Sequence, residues 1–264
     1  MFISHLIMIF DECRRVLRKT GTLWVNIGDS YSKPNKYNKE DQGRWGNGKN
    51  NRALNDIKVD MSAHNIPEKS LCNIPGCFAE GMIAAGWVLP NEIIWYKPSV
   101  VPSSVRDRFT VDYEKIFFFT KSPKYHFEQQ FEPYAESTPA RYNRNYGTDG
   151  KNKVYREKYG HPKGLKTLNP NGRNKRCVWR LSTENNKYGH YAAYPMKLVE
   201  TPVLAGCPPG GIVLDPFAGS GTTAIVARRL GRGYILIEPN PEYAEIIRQR
   251  LQTTNENSNE TNNE

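Results

Sequence analysis

The sequence predicts an α/β fold made of two halves and an insertion, and three observations lead to it. Residues 211–243 read as a buried strand, a glycine turn, a helix, a second strand and a carboxylate at its end. Residues 1–121 alternate helical and strand-like apolar patterns. Between the halves, residues 122–188 carry many tyrosines and basic groups with little regular periodicity.

Taken in chain order, Phe2, Leu6, Ile9, Cys13, Val16 and Leu17 recur at helical spacing, so the N-terminal segment is read as an amphipathic helix packing on a sheet. It has neither the basic start nor the small-residue cleavage site of a signal segment. A strand is expected at 22–27, a polar loop at 32–66, a helix near 70–85, and strands near 88–96 and 113–120. Asn26, Gly28 and Asp29 fall at the carboxyl end of the first strand, the edge at which α/β sheets bind ligands, although an Asp after Gly is also a common turn residue. Trp95 and Phe117–Phe119 are read as core.

In the C-terminal half, Ile212, Val213 and Leu214 form a continuous apolar run, as expected of a strand covered on both faces. Gly219 and Gly221 supply a turn whose backbone can approach a ligand. Thr222 and Thr223 open a helix that packs Ile225, Val226 and Leu230 on the sheet, and Gly231 ends it. A right-handed crossover of this length brings the glycine loop beside Glu238, the carboxylate that ends the next strand. That arrangement suits a nucleoside: Glu238 can accept ribose hydroxyls. The loop lacks the Lys of a phosphate-cradling loop and departs from dinucleotide Gly spacing.

Composition agrees. A net charge of +10 favours a polyanionic partner. The cysteines at 13, 72, 77, 177 and 207 have no paired Cys-x-x-Cys spacing, so neither a metal site nor a disulfide framework is indicated. Reduced thiols fit a cytoplasmic setting. No apolar run approaches the roughly 20 residues of a membrane span. The tail Thr253–Glu264 is polar throughout and is expected to be disordered.

Asp215-Pro-Phe217-Ala218-Gly219-Ser220-Gly221-Thr222-Thr223 closely resembles the S-adenosylmethionine-binding motif of amino-group DNA methyltransferases, which methylate cytosine N4 or adenine N6. The resemblance extends over nearly all of the chain. His190-Tyr-Ala-Ala-Tyr194-Pro195 is similar to the family segment that opens the helix before the cofactor strand, and Pro195 suits a first helical position. Residues 85–121, including Arg106-Asp107-Arg108, and residues 16–31 resemble the substrate half. Their order matches the circularly permuted beta class.

The resemblance implies a Rossmann-like methyltransferase sheet with S-adenosylmethionine as cofactor and double-stranded DNA as partner. Residues 1–121 would be the substrate half, 122–188 the target-recognition region and 189–252 the cofactor half. Cofactor-binding residues would be Tyr194, Pro195, Asp215, Phe217, Ala218, Gly219, Ser220, Gly221, Thr222 and Glu238. Asn26, Gly28 and Asp29 would line the substrate pocket, and Arg106, Arg108, Lys175 and Arg176 would contact DNA. For Arg106-Asp107-Arg108 an internal ion pair is an equal alternative. A cognate restriction endonuclease and a homodimer are compatible with the family.

One family motif is missing. A Ser-Pro-Pro-Tyr or Asp-Pro-Pro-Tyr tetrapeptide is expected a few dozen residues before the block that begins at Val16, and Cys207-Pro-Pro-Gly210 is no substitute for it. In the family that loop orients the target amine, and its strand lies between those expected at 212–215 and 22–27. The sheet is therefore expected to lack one central strand, and no catalytic residue is assigned. A missed upstream start, a split gene and a decayed copy would each explain the gap; truncation or a fragment fits the intact blocks best. The leading reading is a site-specific DNA methyltransferase. The alternative is a catalytically inactive fragment or DNA-binding partner subunit.

Overall fold

The computed structural model describes residues 2–32, 66–138, 168–183 and 194–260, with side chains to 253. It divides into two compact units, one of residues 1–126 with 177–264 and one of 127–176.

The first unit is organised around β3 (Tyr113–Thr120), which lies between β1 (Thr22–Ile27) and β2 (Val88–Tyr96) and is antiparallel to both. The strands fall where the apolar pattern places them. β3 is buried on both faces because its pleat sends alternate side chains to opposite sides. Phe117 and Phe119 join Phe10, Val25, Phe78, Met82 and Trp87 on one side, beneath the helices α1 (Phe2–Val16) and α2 (Ile74–Ala84). Ile116 and Phe118 join Ile93, Trp95, Trp179 and Leu198 on the other. Trp95 and Phe117–Phe119 are thus core residues, as expected.

Trp179 arrives from a distant part of the sequence. Strand β6 (Val178–Arg180) pairs parallel to β2, with Trp179 opposite Trp95. The sequence places residues 177–180 inside the insertion, whereas they complete the four-stranded sheet β1-β3-β2-β6. Three residues are too few to show a strand period. The second unit holds the short antiparallel pair β4 (Phe131–Glu132) and β5 (Arg173–Asn174). Residues 139–167 and 184–188 of the expected recognition region lie outside the described residues, as do 33–65 of the polar loop and 190–193 of the segment before Tyr194.

The C-terminal half is formed by α3 (Met196–Gly206), β7 (Ile212–Asp215), α4 (Thr222–Arg229), β8 (Gly233–Leu236) and α5 (Pro241–Glu260). β7 and β8 pair parallel across the α4 crossover. Ile225 and Val226 are buried, and Gly231, at φ 70°, ends the helical turn as expected.

Two expectations need correction here. Ile212 is 64% exposed and Ile235 53%, so this strand pair is not covered on both faces. Among the described residues β7 ladders only with β8 and β1 only with β3, which leaves one edge of each open. The tail also differs: α5 remains helical through Glu260. No Gly or Pro follows Pro241 to stop it, and Arg228 Nη1 donates to Leu251 O at 2.9 Å to dock it. Among the described residues no helix is long and apolar enough to cross a membrane.

Candidate functional site

Asp215 ends β7 with both carboxylate oxygens in use. Oδ1 accepts the Phe217 amide at 3.0 Å, which shapes the turn, and Oδ2 accepts the Thr223 hydroxyl at 2.6 Å. Tyr194 reaches the same pair, with its hydroxyl 3.2 Å from Asp215 Oδ2 and 2.9 Å from Thr223 Oγ1. Burial, reinforced by the Asp215 charge, pushes the Tyr194 phenol far above its ordinary value, so it stays protonated and donates. Pro195, fully buried, is the N-cap of α3 rather than its first helical residue, with ψ at 148°.

The turn itself needs its glycines. Gly219 and Gly221 have φ of 52° and 79°, where a side chain is strained. A Cβ on Gly221 would also lie 2.9 Å from Ile247 of α5. Ala218 N donates to Ile237 O at 3.1 Å, and Gly219 N donates to Glu238 Oε2 at 2.8 Å. The loop and the acidic strand end are therefore in direct contact, as the crossover argument requires. Glu238 Oε1 also accepts the Asn240 amide at 2.9 Å. Ser220 and Thr222 are buried behind this surface, while Phe217 is half-exposed and its ring meets Phe10 of α1 edge-on at 6.0 Å.

One residue of this region escaped sequence reasoning. Arg250 of α5 donates from Nη1 to Ser220 O at 2.5 Å and to Ser220 Oγ at 2.9 Å, with Thr222 Oγ1 at 3.4 Å. It pins the glycine loop from behind. The available signal was its i, i+3 relation to Ile247, which places both on one helix face.

The expected substrate-pocket residues sit at the carboxyl end of β1. Asn26 Nδ2 donates to Lys115 O at 3.1 Å. Gly28 faces the Glu114 carboxyl, which pairs with Lys97; the Lys97 ammonium lies 4.3 Å from the centre of the Trp95 ring. Asp29 Oδ1 accepts the amides of Ser30 and Ile74, at 2.8 and 3.1 Å, so it fixes the chain after β1 and the start of α2.

The Arg106-Asp107-Arg108 segment forms no internal ion pair. Asp107 instead meets Lys69 at 2.6 Å, and the Arg108 guanidinium stacks 3.8 Å from the Tyr31 ring centre. In the second unit Arg173 and Arg176 converge on Glu132, at 2.9 and 2.5 Å, and Lys175 N donates to Gln130 O. Burial pushes the Glu132 carboxyl up, but the hydrogen bonds and charge of Arg176 outweigh it and hold the group below its ordinary value.

Residues 1–249 match the family model described as DNA methylase. The chain is 35% identical over 252 residues to the type II methyltransferase M.Cfr9I of Citrobacter freundii, covering 95% of this chain and 71% of that one. Its fold is similar to that of the PvuII DNA methyltransferase, described as cytosine-N4-specific, with a TM-score of 0.59, 19% identity and coverage of 93% and 69%. It is also similar to TTHA0409, described as a putative DNA modification methylase of Thermus thermophilus and solved with S-adenosyl-L-methionine, with a TM-score of 0.54, 20% identity and coverage of 96% and 77%.

Proposed function

Because this chain belongs to the DNA methylase family, we propose that it transfers a methyl group from S-adenosylmethionine, the family's donor, to an exocyclic base amine in duplex DNA. The acceptor is cytosine N4 or adenine N6 at a specific site. The observation that carries this reading is the contact of Gly219 N with Glu238 Oε2 at 2.8 Å. It sets a turn that carries no side chain at Gly219 or Gly221 beside a carboxylate whose oxygens each retain acceptor capacity for ribose hydroxyls. Tyr194, Pro195, Asp215 and Thr222 support that loop. Phe217, Ala218, Gly219, Ser220 and Gly221 form it.

On the acceptor side Asn26, Gly28 and Asp29 form the floor of the base pocket, and Arg106, Arg108, Lys175 and Arg176 contact DNA phosphates. The type II designation of M.Cfr9I supports a restriction-modification setting with a cognate endonuclease, acting on DNA in the cytoplasm.

The open edges of β1 and β7 favour a second reading, a catalytically inactive fragment or DNA-binding partner subunit. A base amine is a poor nucleophile whose lone pair is delocalised, and transfer depends on orienting it toward the sulfonium. Incubation with methyl-labelled S-adenosylmethionine and duplex DNA, followed by digestion to nucleosides, separates the two. Label in N4-methylcytosine or N6-methyladenine is the result expected of the enzyme. Donor bound without transfer would support the second reading, and a folded chain that neither binds nor transfers would contradict both.

A further inference from the structure

Phe109 is 97% exposed, although a phenyl ring is normally buried. Its loop is anchored all the same. Lys97 N donates to Asp112 O at 2.7 Å and closes the base of the loop. Asp107 is held by Lys69, and Arg108 by the face of Tyr31. Lys69 and Tyr31 themselves belong to a short antiparallel pairing just after β1, in which Ser32 N donates to Ser70 O and Cys72 N to Ser30 O, both at 2.8 Å. The loop is thereby fixed to the carboxyl end of β1, near Asn26, Gly28 and Asp29. Its ring projects into solvent close in sequence to Arg106, whose guanidinium has no hydrogen bond or ion pair with any other described residue.

We propose that Phe109 is a wedge that enters the base stack of duplex DNA beside the nucleotide being drawn out, while Arg106 holds the adjacent phosphate. The inference rests on the DNA reading above. An enzyme that works on a base amine must take the base out of the stack. A planar apolar ring fills the space left behind or pries the step open. A phenyl ring does so without preference for a base edge, and an anchored loop loses little freedom on binding. The neighbouring guanidiniums match a polyanion; a purely apolar protein partner would leave them buried and unpaired.

The test uses the full chain and a fluorescein-labelled duplex, with binding read by anisotropy over a range of salt. Phe109→Ala is expected to weaken binding about tenfold at every salt concentration, because stacking releases no counterions. Arg106→Ala, by contrast, should lower the slope of log affinity against log salt by about one. Phe109→Trp should keep the affinity and lose indole emission as the ring stacks. Equal binding by Phe109→Ala and the wild type would overturn the wedge, as would unquenched Phe109→Trp emission at saturating DNA. A change in oligomeric state with DNA binding intact would assign the ring to a second copy and also overturn it. No duplex binding by the wild-type chain would overturn the DNA reading itself.

Discussion

The glycine loop after β7 and the loop between β2 and β3 lie on the same unit, yet they are built on opposite terms. In the first, Asp215, Tyr194, Thr223, Glu238 and Arg250 spend their hydrogen bonds on one another and on the loop backbone. In the second, the anchoring contacts are on the surface and Phe109 is left in water. A site for a small donor must be rigid before the donor arrives, so its polar groups are satisfied internally. A site for a duplex can leave groups waiting, because the partner brings its own charges and stacked rings. Substitutions in the first loop should therefore cost stability and donor affinity together, and those in the second should cost DNA binding alone.

The sharpest way to break the contrast is Asp215→Ala. It removes the acceptor for Phe217 N, Thr223 Oγ1 and Tyr194 Oη, and is expected to cost about 3 kcal/mol in urea unfolding and to abolish donor binding. A loss below about 1 kcal/mol would mean that the network does not hold the loop. Next, Gly221→Ala places a Cβ at positive φ and against Ile247, for an expected cost of about 2 kcal/mol. Pairing it with Ile247→Ala should recover part of the steric share, and strict additivity of the two would refute the clash.

Smaller in stability is Arg250→Ala. Donor affinity should fall about tenfold while the thermal midpoint moves by only a few degrees. An unchanged affinity would show that the pin is ornamental. The smallest effect belongs to Glu132 of the second unit. Because its folded-state carboxyl lies below the ordinary value of about 4.3, its contribution is complete above that pH and is lost as pH falls through the lowered value. Arg176 is 67% exposed, so the pair with it contributes under about 1 kcal/mol. Glu132→Gln should flatten the acid limb of the pH–stability curve, and an unaltered limb would exclude the pair as its source.

Much of this was legible because the signals are local. Strands 22–27, 88–96 and 113–120 fall at the positions read from apolar pattern, and the adjacency of Gly219 and Glu238 follows from crossover length alone. What was not legible depends on distant parts of the chain. β6 is three residues long and gains its identity only from β2, against which Trp179 packs. Arg250 acts on a loop some thirty residues earlier. Asp107 has arginines on both sides in sequence, but the loop geometry turns it to Lys69. Ile212 and Ile235 have the sequence of buried strand residues, yet each is more than half exposed, because burial of a strand face depends on what distant parts of the chain lay over it.

On the proposed function, residues 215–223 and Glu238 make a ready donor site whatever the state of the acceptor side. Isothermal titration of the chain with S-adenosylmethionine, with Glu238→Ala alongside, tests it most directly. Saturable one-to-one binding by the wild type in the absence of DNA is expected, weakened about tenfold or more in the variant. A folded wild-type chain that takes up no donor, or a Glu238→Ala variant that binds it equally well, would contradict it.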